Sequence, residues 1–404
     1  MGTLKTIYSV LLLLISTNSV VIAQNKYQIS PGPDLWYNSV DGLRIGVKIR
    51  GQMAGSMGDG PHRLDVGFWL GSKWPSSPFS YYASLTELVP GWSSFGSEAS
   101  FEVISSIREG FYRHGLTFRK RWQNGFNENE YVQLYVLADV NKRFDLDYVA
   151  LPVLWDSKTL YMFEPNLEVN GNYGAIGPIS QSLLFRIAGQ GAFNQDFFTQ
   201  LEFEQEGKIE LYDDFKLGHR IFFSTSSSNV PTQYQYRLST GKAVEDLNNG
   251  FGRSIGTLPI SGFEQGWLHL PDGPNLRAYG FYEMKQIFTD KPYIYRTSAA
   301  INLELDVPNP ISWIVDQTPI LGGILNNRMY FFNDVGQGWG SEKSKIQSNF
   351  GLGLSVGLNL PESLGKNKIL TVRYDVPFWL SHPVATEPNI KYRSVLGFSN
   401  IIRW

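Results

Sequence analysis

The segment Ala299-Ala300-Ile301-Asn302-Leu303-Glu304-Leu305-Asp306-Val307-Pro308 decides the fold. Large apolar residues fall on every second position from Ile301, the period of a β-strand with two unlike faces. A second run follows, Met329-Tyr330-Phe331-Phe332-Asn333-Asp334-Val335-Gly336-Gln337-Gly338-Trp339. Glu304 in the first run and Asp334 in the second are carboxylates in otherwise apolar or small-residue settings. Upstream, Asn275-Leu276-Arg277-Ala278-Tyr279-Gly280-Phe281 sets an arginine on a Gly-containing, aromatic loop tip. In a transmembrane barrel, strand residues alternate between lipid and lumen. A cation on a loop long enough to fold inward would meet both carboxylates inside.

Outward from this core, the same alternation recurs. Leu43, Ile45, Val47 and Ile49 alternate with Arg44, Gly46, Lys48 and Arg50. Leu64 to Leu70, Tyr112 to Phe118, Leu201 to Glu204 and Leu370 to Val376 repeat the pattern, separated by Gly- and Pro-containing turns such as Gly58-Asp59-Gly60-Pro61. Long helical patterns are missing, and no repeat of fixed period is present. From about 244 to 288 the alternation lapses among Gly, Asn, Pro and aromatic residues. Loops of that length are uncommon and usually functional. The fold expected is an all-β, transmembrane antiparallel β-barrel of 16 strands spanning 41–404, with this loop folding inward from the extracellular side. Sixteen strands would take about 24 residues each with their connections, enough for the ~9–11 residues of a tilted membrane strand.

Composition fits that expectation. Aromatic residues make up 14% and glycines number 40, as suits aromatic girdles and tight turns. Lys+Arg is 35 against Asp+Glu 37, which gives no electrostatic footprint for nucleic acid. There are no cysteines, so neither a disulfide framework nor a lipidated N-terminal Cys is expected. Residues 1–23 read as a secretory signal: Lys5, the apolar run Ile7 to Ile15, and Val21-Ile22-Ala23 before Gln24. Residues 24–40 read as a short periplasmic lead, far below the ~50 residues of a small domain.

The order of these segments resembles the C-terminal part of the BamA/TamA and two-partner-secretion superfamily, the bacterial surface antigen barrels. The resemblance runs from the loop tip through the Asn302-Leu303-Glu304-Leu305 and Phe332-Asn333-Asp334-Val335-Gly336 strands. It continues into Phe350-Gly351-Leu352-Gly353-Leu354-Ser355-Val356-Gly357, the Leu370 to Pro377 strand and the last strand, covering roughly 245–404. It implies a loop latch in which Arg277 and Tyr279 dock against Glu304 and Asp334, with Ala278 where the family pattern has Gly. It also implies a barrel-only protein of the Gram-negative outer membrane, embedded in lipid. Such a protein would act in insertion or translocation of protein or lipid, with a separate periplasmic or outer-membrane partner supplying the missing modules. An outer-membrane channel or structural scaffold is the alternative. Trp36-Tyr37-Asn38-Ser39-Val40-Asp41-Gly42-Leu43 more faintly resembles the opening of barrels fused to zinc peptidases in Bacteroidetes. The ending Gly397-Phe398-Ser399-Asn400-Ile401-Ile402-Arg403-Trp404 resembles an outer-membrane assembly signal, with Gly397, Ile402 and Trp404 as its key positions.

Catalysis finds little support. Gly252-Arg253-Ser254-Ile255-Gly256 and Gly353-Leu354-Ser355-Val356-Gly357 both match the nucleophile-elbow pattern, but neither stands in the strand–turn–helix setting that pattern needs. The histidines His62, His114, His219, His269 and His382 are scattered and do not form a zinc motif. No enzyme activity, cofactor or metal is expected. Glu202, Glu204 and Glu206 share one strand face, as do Arg113, Arg119 and Arg121, and both sets read as lumen lining.

Overall fold

A computed structural model describes residues 27–402 except 54–61, 126, 128, 173–176, 191–194, 213–214, 249, 281–293, 311, 313–316, 319–324, 341–343, 360–368 and 384–386. The first half of the chain is a run of antiparallel strands. These are β1 (Tyr27–Asn38), β2 (Gly42–Met53), β3 (His62–Gly71), β4 (Phe79–Leu88), β5 (Ser97–Arg108), β6 (Phe111–Gln123) and β7 (Tyr131–Arg143). Next come β8 (Leu160–Asn172), β9 (Pro178–Gln190), β10 (Gln195–Tyr212) and β11 (Phe215–Ser226). A long connection, 227–296, contains the two-residue β12 (Leu268–His269) and a one-turn helix, Ile260–Glu264. The chain then returns to the sheet as β13 (Thr297–Val307), β14 (Leu325–Trp339), β15 (Gln347–Asn359), β16 (Ile369–Leu380) and the short β17 (Val395–Phe398).

Among the described residues all these strands belong to one sheet of 17 rather than the 16 expected, because the loop contributes β12. Each long strand pairs antiparallel with its sequence neighbour, except that β11 skips β12 to pair with β13. The stretch expected as a periplasmic lead is instead part of the wall: all of β1 pairs with β2, from Tyr27 opposite Met53 to Asn38 opposite Gly42. Pro31 and Pro33 lack a backbone donor, which a strand tolerates when only one of its edges is paired. The expected signal sequence, 1–23, lies outside the described residues. The long loop begins earlier and ends later than the 244–288 read from composition. The last strand ends at Phe398 instead of running on to Trp404.

The alternation sorts the two faces. Leu43, Ile45 and Val47 are 44–53% exposed on the outer face, and Ile301, Phe331 and Tyr374 stand outward in the same way. On the inner face Arg44, Arg143, Arg186, Arg220 and Arg373 are each no more than 4% exposed. A water-soluble protein has the opposite arrangement, with apolar side chains inside and arginine almost never fully buried unless paired. The sheet wraps around the long loop, and the charged interior is the volume between them.

Candidate functional site: the loop held in the lumen

The turn Asp272 to Asn275 aims the loop tip at the wall. Gly273 and Asn275 both take the left-handed backbone conformation (φ +59 and +57), which Gly adopts freely and Asn tolerates. The Asn275 side chain accepts the Asp272 N–H at 2.8 Å, closing the turn. From β11, Arg220 donates to the Gly273 carbonyl at 2.6 Å. From β13, Asn302 donates to the carbonyls of Pro274 and Asn275, each at 3.2 Å.

Arg277 then enters a pocket of carboxylates. Its Nε donates to Asp334 Oδ2 at 2.9 Å and its Nη2 to Asp334 Oδ1 at 3.0 Å, a bidentate pair. The same Nη2 reaches Glu304 Oε1 at 3.2 Å, and the Arg277 N–H points to Asp334 Oδ2 at 3.3 Å. Nη1 lies 3.6 Å from Asp375 Oδ1 on β16. The guanidinium stacks over the Phe332 ring, 4.0 Å from its centroid. Arg277 and all three carboxylates are essentially without solvent exposure. The acids are themselves secured: Arg328 bridges Glu304, and Tyr330 and Arg373 bind Asp375.

Apolar neighbours seal the pair. Leu276, Ala278 and Tyr279 pack with Leu238, Tyr295, Ala300 and Leu380 in one buried cluster. Ala278 fits inside it with no exposure. The Tyr279 hydroxyl donates to the Ser348 carbonyl at 3.0 Å. A Cβ on inward-facing Gly336 would lie 2.7 Å from Leu276 and 2.9 Å from the Ala299 carbonyl, so only glycine lets the loop lie this close to β14.

The structure thus gathers Arg277, Glu304 and Asp334 in one network and docks Tyr279 beside it on β15. It adds Asp375, Arg373 and Arg328, which the sequence reading did not single out. Of the positions read as an assembly signal, Gly397 lies in β17, where a Cβ would stand 2.4 Å from the Arg373 guanidinium. Ile402 is buried beyond the strand, and Trp404 lies outside the described residues.

Further anchors join loop residues to side chains that the sequence reading took only as lumen lining. Lys242 of the loop lies 2.7 Å from Glu202 and 3.1 Å from Glu245. Burial alone would lower the Lys242 ammonium, but Glu202 and its other anionic neighbours hold its pKa well above the ordinary value. Burial, reinforced by Arg373 and Arg277, pushes the His269 pKa well below its ordinary value, so the ring is neutral. It accepts from Arg373 at Nδ1 and donates from Nε2 to the Ser239 carbonyl, 2.7 Å away. Glu204 and Glu206 both face Arg220, and Arg113 pairs with Asp139 at 2.6 Å.

The loop also stands between the first and last strands, which are not paired with each other among the described residues. On one side the Ser39 N–H donates to the Ile255 carbonyl at 2.9 Å, and the Thr257 hydroxyl donates to the Tyr37 carbonyl at 3.0 Å. On the other side β12 lies parallel to β17, and the Leu396 N–H donates to the Trp267 carbonyl at 2.8 Å. Phe251 bridges the two, 5.8 Å from Trp36 of β1 and stacked 5.0 Å from Phe398 of β17. Ser254, the centre of one nucleophile-elbow match, sits in this loop away from any strand–turn–helix, and Ser355 lies within β15. Among the described residues, His, Asp and Glu form no metal-binding group.

Fold and site together define one large antiparallel β-sheet, apolar on one face and charged on the other, with a loop latched against its charged face. Among solved structures the chain is similar to BamA from Haemophilus ducreyi lacking POTRA domains 1-3. That match has 12% identity and a TM-score of 0.49, covering 93% of this chain and 71% of the other. It is similar also to CdiB from Escherichia coli, with 9% identity, a TM-score of 0.42 and coverage of 94% and 68%. A third similar structure is a bacterial polysaccharide outer membrane secretin, at 8% identity, a TM-score of 0.37 and coverage of 93% and 96%. No family model matches the chain, and no curated protein matches it.

Proposed function

We propose that the chain is an integral outer-membrane β-barrel acting in the insertion or translocation of protein or lipid, without catalysis of its own, together with a separate protein partner. One observation carries the reading. The wall has a seam where β1 and β17 leave their edges to each other's loop contacts, and the loop that fills the seam is fastened from inside. Strand edges held only by a loop offer templates on which another extended chain can add. A fixed lumen plug leaves the seam as the part of the wall with fewest hydrogen bonds to break. Affinity purification from native outer membrane in mild detergent tests the reading. A stoichiometric periplasmic or outer-membrane partner is expected. A barrel that purifies alone and conducts ions steadily in planar bilayers would overturn it.

That contrary outcome corresponds to a second reading, a channel or scaffold subunit. Its support is an open cavity of about 750 Å³ near the β13–β14 connection, lined by Lys208, Lys216, Asp306 and Arg328 among others.

A further inference from the structure

Away from the latch, a cavity of about 160 Å³ separates the loop from the wall formed by β4 to β9. That is many times the roughly 10–15 Å³ a single water needs. Four arginines line it: Arg108, Arg113, Arg186 and Arg253. Two are neutralised locally, Arg113 by Asp139 at 2.6 Å and Arg186 by Glu164 at 2.6 Å. Glu245 also lines the cavity but is engaged by Lys242. Arg108 lies over the Tyr82 ring at 5.1 Å and forms no ion pair among the described residues.

Arg253 has only a share of one carboxylate. Its Nε donates to the Leu247 carbonyl at 2.9 Å and lies 3.5 Å from Glu109 Oε2, while Arg44 takes Oε1 of the same group and Arg143 donates to the Glu109 carbonyl. Behind the cavity lining, on the Glu109 cluster, Nε of Arg44 and Nε and Nη2 of Arg143 have no hydrogen-bond partner among the described residues, and neither has Glu109 Oε2. In the lining itself, guanidinium forks match tetrahedral oxyanions. Ser106 and Asn141 add neutral polar groups to the lining.

We propose that this cavity binds a phosphate-type oxyanion, held chiefly by Arg108 and Arg253, which would tie the loop segment at Arg253 to the wall at β5. Titration calorimetry on the full chain in neutral detergent tests it, with inorganic phosphate as ligand and chloride at matched ionic strength as control. Phosphate should bind with a Kd on the order of 1 mM or tighter, and Arg108→Gln should weaken it about tenfold. Glu109→Gln, which removes the one carboxylate that Arg253 shares, should strengthen it. If Arg108→Gln does not fold, Arg108→Lys is read instead and should show a smaller loss, because charge is kept without the fork. Nanodiscs containing phosphatidate identify the source: Arg108-dependent retention of phosphatidate marks a lipid phosphate, and binding of the free ion alone marks a soluble one. Phosphate and phosphatidate binding no stronger than the controls, or equal binding by a folded Arg108 variant, would overturn the site.

Discussion

Arg277 is held by charge on three strands at once, so its removal strands more than one partner. Breaking a buried pair by deleting one member typically costs about 3–5 kcal/mol. Arg277→Ala should lower unfolding stability by that order and open the loop to protease. Paired with Asp334→Asn it should cost less than the two single changes summed, since both remove one interaction. Proteolysis rates and denaturant midpoints at wild-type values in Arg277→Ala would mean there is no latch. Asp272 gives the loop a pH response. Removal from water, with Glu245 close by, pushes its carboxyl up to about 7. A folded-state pKa above the unfolded one means the folded loop binds the extra proton, so this contribution is largest at low pH and fades as pH rises toward 7. Loop protection should therefore weaken between about pH 4 and 7, and Asp272→Asn should flatten that profile. An unchanged slope in the variant would assign it to another group. Glu304 and Asp334 were legible because period-two alternation puts both acids on one face of neighbouring strands, and Arg277 because the loop tip resembles that of the family named above. Asp375 and the Lys242–Glu202 contact were not, because contacts across a lumen leave no spacing in the sequence.

At the level of elements, strands with strict alternation were legible and irregular ones were not. Pro31 and Pro33 make β1 read as a lead, yet a strand paired on one edge has room for residues without donors. β12 is two residues long and has no period to detect. β17 is short, and its glycine has a steric reason: Gly397 leaves space for the Arg373 guanidinium, which in turn binds Asp375 and His269. Gly397→Leu should displace Arg373, unsettle the Asp375 side of the latch and loosen β12 from β17. Faster hydrogen exchange at Leu396, whose N–H bonds to the loop, is the expected sign. Exchange at the wild-type rate would show that Arg373 relocates without consequence.

For the whole molecule, the distribution of apolar and charged groups makes a sharp demand on the surroundings. A wall that carries Phe68, Phe79 and Phe101 at 47–69% exposure needs lipid or detergent against it. The folded protein should migrate faster than the boiled one in SDS gels, and unheated samples should resist unfolding. A species that stays soluble without detergent and shows no mobility shift would contradict a membrane barrel.

The seam also sets an order in time. Ser39 and Ile255 are 216 residues apart in the chain, yet the loop segment they anchor touches a strand from each end of the sequence. Neither Trp36 nor Phe398 alone gives Phe251 its seat. Contacts between such distant parts form slowly, because a long stretch of chain must be confined before they return any energy. The stitch between β1 and β17 is thus expected to form late, after the pairs of strands that are neighbours in sequence.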